Sequence, residues 1–337
     1  MKVLVTGASG HIGYHICKLL LDQNYQVRAF IRKSSFKEHL EKLPLEIFYG
    51  DILIPENLQE AMKDIDIVFH TAAVYQLTPL KRKYLSIAAT EKKVNIITTA
   101  VTGTINLFQA AKNNNIKKII YTSSVETIGI SYNKNNPLSE SYHTQDFFYD
   151  YSLAKSESEK LALQLAKKTG IFTVICNPST VIGKNDYKLT PSNALLLRCI
   201  KHNLFYVEAG QSLVDVDDVA WGHIQALNKG RNLERYILSG ENIEIKDLLI
   251  LIKNILNIKK PSVKLTKPFL YPLAIICDIL SAMTGTVFFI SRRKINRIIG
   301  GYSYYDCSKA KFELGYNPKQ LKETLPETIN WLIEKYS

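Results

Sequence analysis

From residue 1 to about 180, short apolar or β-branched runs alternate with longer segments whose apolar positions recur every three to four residues. The short runs predict strands at Lys2–Thr6, Gln26–Ile31, Leu45–Tyr49, Ile65–His70, Lys117–Ser123 and Thr173–Asn177. The longer segments predict helices at His11–Asp22, Glu56–Met62, Val94–Asn113 and Tyr149–Lys168. Strands of this kind with crossover helices between them make βαβ units, so the fold class is α/β with a doubly wound parallel sheet. After Pro178 the alternation becomes irregular, and short strands such as Ser212–Val216 and Tyr236–Ser239 mix with helical stretches. The chain is therefore read as a core over 1–180 and a smaller substrate-binding lobe over 181–337, partly interleaved and with no long linker between them.

One apolar stretch interrupts this pattern. Pro268–Ile290 runs for 23 residues and is followed by Ser291-Arg292-Arg293-Lys294. It is nearly long enough to cross a bilayer, but Asp278, Pro272 and Gly285 argue against a simple span. The expectation is an apolar helical pair folded over a substrate pocket; peripheral membrane contact through 268–294 is the alternative, since a basic flank suits anionic lipid.

Composition changes this picture little. Hydrophobic residues at 46% and charged residues at 22% exclude a disordered or collagen-like chain. A net charge of +12 admits nucleic acid, an anionic surface or a phosphorylated ligand as partner. The lysines are spread along the chain, with no zinc-ligand spacing and no basic region before heptads, so no nucleic-acid partner is expected. Five cysteines without a CxxC pair fit a reducing cytoplasm and give no metal site. The first apolar run, Val3-Leu4-Val5, stops at Gly7, too short for a signal-peptide core, so a cytoplasmic location is expected.

Chemistry enters at the first strand-to-helix junction, Thr6-Gly7-Ala8-Ser9-Gly10-His11-Ile12-Gly13. Gly7 permits a tight turn, Gly10 lets the backbone approach a pyrophosphate, and Gly13 lets helix and strand pack closely. With Ser9, His11 and Ile12 at a helix N-terminus, this is the phosphate cradle of a Rossmann-type dinucleotide site. The end of the second strand carries Arg32 and Lys33 where an acid would select NAD, so the cofactor is read as NADP, with NAD as the alternative. Asp51, with Ile52 beside it, is placed at the adenine.

Tyr151-Ser152-Leu153-Ala154-Lys155 puts a phenol and an ammonium one helical turn apart, where the positive charge eases proton exchange by the tyrosine. Tyr121-Thr122-Ser123-Ser124 lies at the carboxyl end of the fifth strand, the edge on which such sheets bind ligands. Glycine turn, strand-end hydroxyls and Tyr-x-x-x-Lys in this order define a candidate oxidoreductase site.

On these residues, and on GDI at Gly50–Ile52, HTAA at His70–Ala73, NPSTVIG at Asn177–Gly183 and VDVDDVAWGH at Val214–His223, the sequence resembles extended short-chain dehydrogenase/reductases. Within them it is similar to the dihydroflavonol 4-reductase-like group, which includes 3β-hydroxysteroid dehydrogenases. The resemblance implies that Tyr151 exchanges the proton, Lys155 holds the nicotinamide ribose and Ser124 bonds the reacting oxygen. It further places Thr71, Ala72, Ala73, Thr122, Asn177, Pro178, Ser179 and Thr180 along the cofactor. Val74, Tyr75, Ser124, Glu126 and Tyr151 would face a small-molecule substrate. Asn106 would support the site through its helix, and Asp215, Asp217 and Asp218 would organise the lobe junction. A homodimer is common among such proteins.

The implied activity is NADPH-linked reduction of a ketone or aldehyde on an apolar or aromatic substrate. Two alternatives stay open: a nucleotide-sugar epimerase or dehydratase with a tightly held cofactor, and a non-catalytic dinucleotide sensor. The sugar dehydratases carry an Asp-Glu pair after the strand-five hydroxyl, and here it reads Val125-Glu126.

Overall fold

The structure, a computed structural model, describes residues 1–73, 96–201, 205–284 and 290–336. Its first half alternates β1 (Lys2–Thr6), α1 (His11–Asp22), β2 (Gln26–Ile31), β3 (Glu46–Tyr49), α2 (Pro55–Ala61), β4 (Ile67–His70), α3 (Ile96–Asn113), β5 (Lys118–Thr122), α4 (Asp150–Thr169) and β6 (Phe172–Pro178). The described ends lie within two residues of the expected ones, while Val94 falls outside the described residues. The second half adds β7 (Thr180–Ile182), α5 (Pro191–Lys201), β8 (Phe205–Tyr206), β9 (Gly210–Asp215), α6 (Val216–Lys229), β10 (Arg235–Leu238), β11 (Glu241–Glu244) and α7 (Ile245–Leu256). It ends with β12 (Val263–Lys264), α8 (Lys267–Thr284), α9 (Arg292–Ile298), β13 (Tyr302–Ser303), α10 (Ser308–Leu314) and α11 (Leu321–Tyr336).

Seven parallel strands form the central sheet in the order β10-β6-β5-β4-β1-β2-β3. Alternate side chains feed opposite layers, as the two-residue period of a strand requires. Val3, Val5 and Ile120 pack with Ile16 and Leu20 of α1, Val219 and Ile224 of α6 and Leu314 of α10. Leu4, Ile119 and Ile175 pack with Leu58 of α2, Leu107 and Phe108 of α3 and Ala162 of α4. Each fully buried large apolar side chain contributes about 1.5–3 kcal/mol, so burial on both faces fixes the strand register. The strand order reverses between β1 and β4, which leaves a crevice beyond their carboxyl ends.

Beyond β6 the chain builds a second sheet, β11-β9-β13 with β7 paired to β9. Helices α5, α7 and α11 cover it around Leu196, Leu249, Leu325 and Ile329. Between β9 and β11 the chain rejoins the main sheet through α6 and β10. β9 stops at Asp215 and does not include Val216. The Asp215 carboxylate accepts the Asp217 N–H at 2.8 Å, and this cap starts α6.

No helix among the described residues is long and apolar enough to cross a membrane. Within the apolar stretch α8 runs to Thr284 and packs against α9, while 285–289 lie outside the described residues. Helix α9 is tied to the segment ahead of α4 by Arg297 on Asp146 at 3.2 Å and by Arg293 donating to the Phe147 carbonyl at 3.1 Å. The apolar side of α8 does not fold inward over a pocket as expected, and Phe269 and Met283 are 72% and 78% exposed.

Candidate active site

The site begins where β1 runs out. Gly7 has φ +73°, and a Cβ there would lie 2.7 Å from the Ala72 backbone nitrogen. A Cβ on Gly13 would collide with the Gly7 carbonyl and stand 2.8 Å from Thr71 Oγ1. Only glycine fits a backbone this close. Gly10 caps α1 without a side-chain bond, so the first N–H groups of the helix remain for an anion. Thr71 donates through both N–H and Oγ1 to the Thr6 carbonyl, at 3.1 and 2.7 Å, which seats the end of β4 beside the glycine turn. Ala73 is exposed next to this turn, while Val74 and Tyr75 lie outside the described residues. His11 turns its ring away to the Lys184 carbonyl at 2.9 Å, leaving its backbone to line the cradle with Ile12.

At the adenosine end, Arg32 and Lys33 are exposed just past β2. Asp51 folds one carboxylate oxygen back onto the Leu53 N–H at 2.9 Å. The Asn106 amide donates to the Ile52 carbonyl at 3.0 Å, so helix α3 fixes this loop. Sequence reading missed the next participant. Lys188 arrives from the lobe, donates to Ser9 Oγ at 3.0 Å and is held below the usual lysine range by burial and then by the charge of Arg32. Two mutually repelling cations beside an open helix N-terminus could hold an anion.

The reacting end is built on β5 and α4. Ser124 caps the turn Val125–Thr127, its Oγ accepting the Glu126 N–H at 3.2 Å. A hydroxyl that accepts one hydrogen bond keeps its own proton to donate. Glu126 accepts the Ser152 hydroxyl at 2.5 Å and thereby ties the Ser124 turn to the first turn of α4, where Tyr151 sits. One turn further, buried Lys155 donates to the Thr122 carbonyl at 2.7 Å. Thr122 Oγ1 lies 2.9 Å from His223 Nε2, whose Nδ1 faces the Val219 carbonyl at 2.8 Å. A carbonyl only accepts, so Nδ1 carries the proton and Nε2 accepts from Thr122. Burial lowers His223 to about 4, which keeps it neutral.

Behind Ser124 lies a buried polar network. Asn177, expected along the cofactor, directs its amide NH2 to the Ser124 carbonyl at 3.1 Å and to Glu159 at 2.7 Å. Glu159 in turn faces Arg235 at 2.8 Å, both nearly inaccessible to water. Ser179 Oγ, next to Pro178 and Thr180, is buried and has no partner among the described residues. Glycine cradle, open helix terminus, paired cations and this hydroxyl fit a dinucleotide lying from Arg32 to Ser179. The three junction aspartates stand apart from it: Asp215 caps α6, Asp217 accepts from His15 at 2.5 Å, and Asp218 accepts the Lys319 N–H at 2.8 Å.

Burial moves Lys155 down to about 8, against the pull of Glu159. Its ammonium is thus present below that pH and lost above it. Proton exchange at this site should fall above pH 8 along a one-proton limb, read from a kcat/KM profile between pH 6 and 10. A profile flat to pH 9.5 in the wild type would exclude this assignment.

The chain matches the NAD dependent epimerase/dehydratase family over residues 3–239. It is 33% identical to a Synechocystis sp. protein named as a dihydroflavonol 4-reductase, over 97% of this chain and 93% of that one. It is 26% identical to sterol demethylase protein B of Methylococcus capsulatus, over 99% of both chains. Among solved structures, gox2253 superposes with a TM-score of 0.85 at 33% identity, covering 99% of this chain and 98% of that one. The chain therefore belongs to the NAD dependent epimerase/dehydratase family and is an NAD(P)-dependent oxidoreductase of the extended short-chain dehydrogenase/reductase type.

Proposed function

We propose that the protein uses NADPH to reduce a ketone or aldehyde carbonyl on a small apolar or aromatic substrate. The observation that carries the cofactor choice is the pairing of Arg32 with Lys188 at the open end of α1, where a nucleotide 2′-phosphate would relieve the repulsion of two cations. Bound reduced nicotinamide supplies hydride to the carbonyl carbon. Ser124 donates to the carbonyl oxygen, Tyr151 gives that oxygen its proton, and Lys155 holds positive charge beside the phenol. Thr122 and Ser179 border the cofactor, and Glu126 holds the two catalytic elements together. Reductase and sterol-directed names among full-length relatives support an apolar carbonyl substrate. The five cysteines are free, which suits work in a reducing cytoplasm, as a homodimer of the kind common in this family.

Titration calorimetry with both cofactors tests the reading. Wild type should bind NADPH more tightly than NADH, and Arg32→Ala or Lys188→Ala should each weaken NADPH roughly tenfold while leaving NADH nearly unchanged. Equal wild-type affinities, or variants that lose both cofactors alike, would assign these cations no part in reading a 2′-phosphate. Net NADPH consumption with alicyclic or aromatic ketones is expected. Conversion of UDP-glucose without net consumption would instead identify an epimerase.

A further inference from the structure

Helix α8 presents its apolar side outward. Phe269, Leu273, Ile276, Ile279, Leu280 and Met283 are each at least 41% exposed. Their spacing of three and four residues puts them on one face, while Ala274 is buried and Cys277 and Ser281 are partly covered on the other. At 1.5 Å per residue, the strip from Phe269 to Met283 is about 21 Å long. A small substrate would cover only part of that length.

The charge around the strip identifies what covers it. Residues 259–297 contain eight lysines and arginines and a single acid, Asp278; Arg292 engages it at 2.6 Å, and Lys264 and Arg297 reach Glu208 at 2.6 Å and Asp146 at 3.2 Å outside this stretch. The cations lie at both ends of the strip, Lys259, Lys260 and Lys267 before it and Arg293 after it. A second copy laid along α8 in either direction would bring like charges together. An anionic bilayer satisfies both features, taking the apolar residues among its acyl chains and the cations at its headgroups.

We infer that α8 is a membrane-surface anchor that docks the folded enzyme in-plane on anionic phospholipid. An apolar substrate could then reach the enzyme from the same surface, but the docking itself does not rest on the proposed reductase activity.

The test is co-sedimentation of the full chain with large unilamellar vesicles of phosphatidylcholine and phosphatidylglycerol at 7:3, compared with pure phosphatidylcholine. Binding to the anionic vesicles is expected, at least tenfold stronger than to neutral ones and reduced by raising NaCl from 50 to 500 mM. Ile276→Ser/Ile279→Ser should lose it tenfold or more while keeping the wild-type melting temperature and NADPH affinity, since both side chains are already in water. Absence of pelleting with anionic vesicles, equal binding to both compositions, or undiminished binding by the folded double variant would each overturn the inference. So would light scattering that shows a wild-type dimer turned into a monomer by the same substitutions, because the strip would then belong to a second copy.

Discussion

Tyr151→Phe is expected to lower kcat by about 10²–10⁴, the range in which a positioned acid or base contributes, while changing the NADPH dissociation constant less than twofold. Tyr151 lies in the first turn of α4 and is 9% exposed, so its ring is part of the packing and phenylalanine preserves that volume. Only the hydroxyl is removed. Ser124, tied in place through Glu126 and Asn177, still polarises the carbonyl oxygen, but no group delivers the proton as negative charge develops there. Single-turnover measurements under saturating NADPH separate this loss from product release. Turnover within a few-fold of wild type would remove Tyr151 from the mechanism and point to a water or to Ser124 as the proton source.

Much of this site can be read along the chain because its parts are local in sequence. The glycine turn is one strand-to-helix junction, the Tyr-x-x-x-Lys pair is one helical turn, and the strand-end serines follow a run of buried β-branched residues. Each has a periodicity or steric requirement that writes itself into adjacent positions. The parts missed are joined only by folding. Lys188 meets Ser9 across 179 positions, and Arg235 meets Thr127 across 108. No spacing rule links such residues, and a lysine in a lobe loop has no pattern to mark it. The lobe strands were hard to place for a different reason: β7 has three residues and β13 two, too few to show a period. In α8 the apolar content was visible but its direction was not, since apolar residues surround most of that helix and exposure depends on what the rest of the chain brings against it.

The second large effect is on stability, and it lies behind Ser124. Arg235→Ala should destabilise the fold by about 3–5 kcal/mol, the usual consequence of leaving one member of a buried ion pair alone. Arg235 is 7% exposed and Glu159 2%, with the charged groups 2.8 Å apart. Arg235 also donates to the Glu140 carbonyl at 2.7 Å and to Thr127 Oγ1 at 2.9 Å, so it pins both the segment leading to α4 and the turn that begins at Ser124. Its removal takes away the paired cation and leaves the Glu159 carboxylate in a dry interior, with Asn177 and Thr127 as its hydrogen-bond donors among the described residues. The same loss frees the Ser124 turn, so activity of the folded fraction should fall as well, in kcat more than in cofactor affinity. Replacing the pair together, Arg235→Met with Glu159→Met, removes the charge imbalance and should recover most of the stability but not the activity. Urea unfolding of the two variants beside wild type measures this directly. If the double variant is as unstable as Arg235→Ala alone, the cost comes from lost backbone anchoring at Glu140 and not from an uncompensated carboxylate.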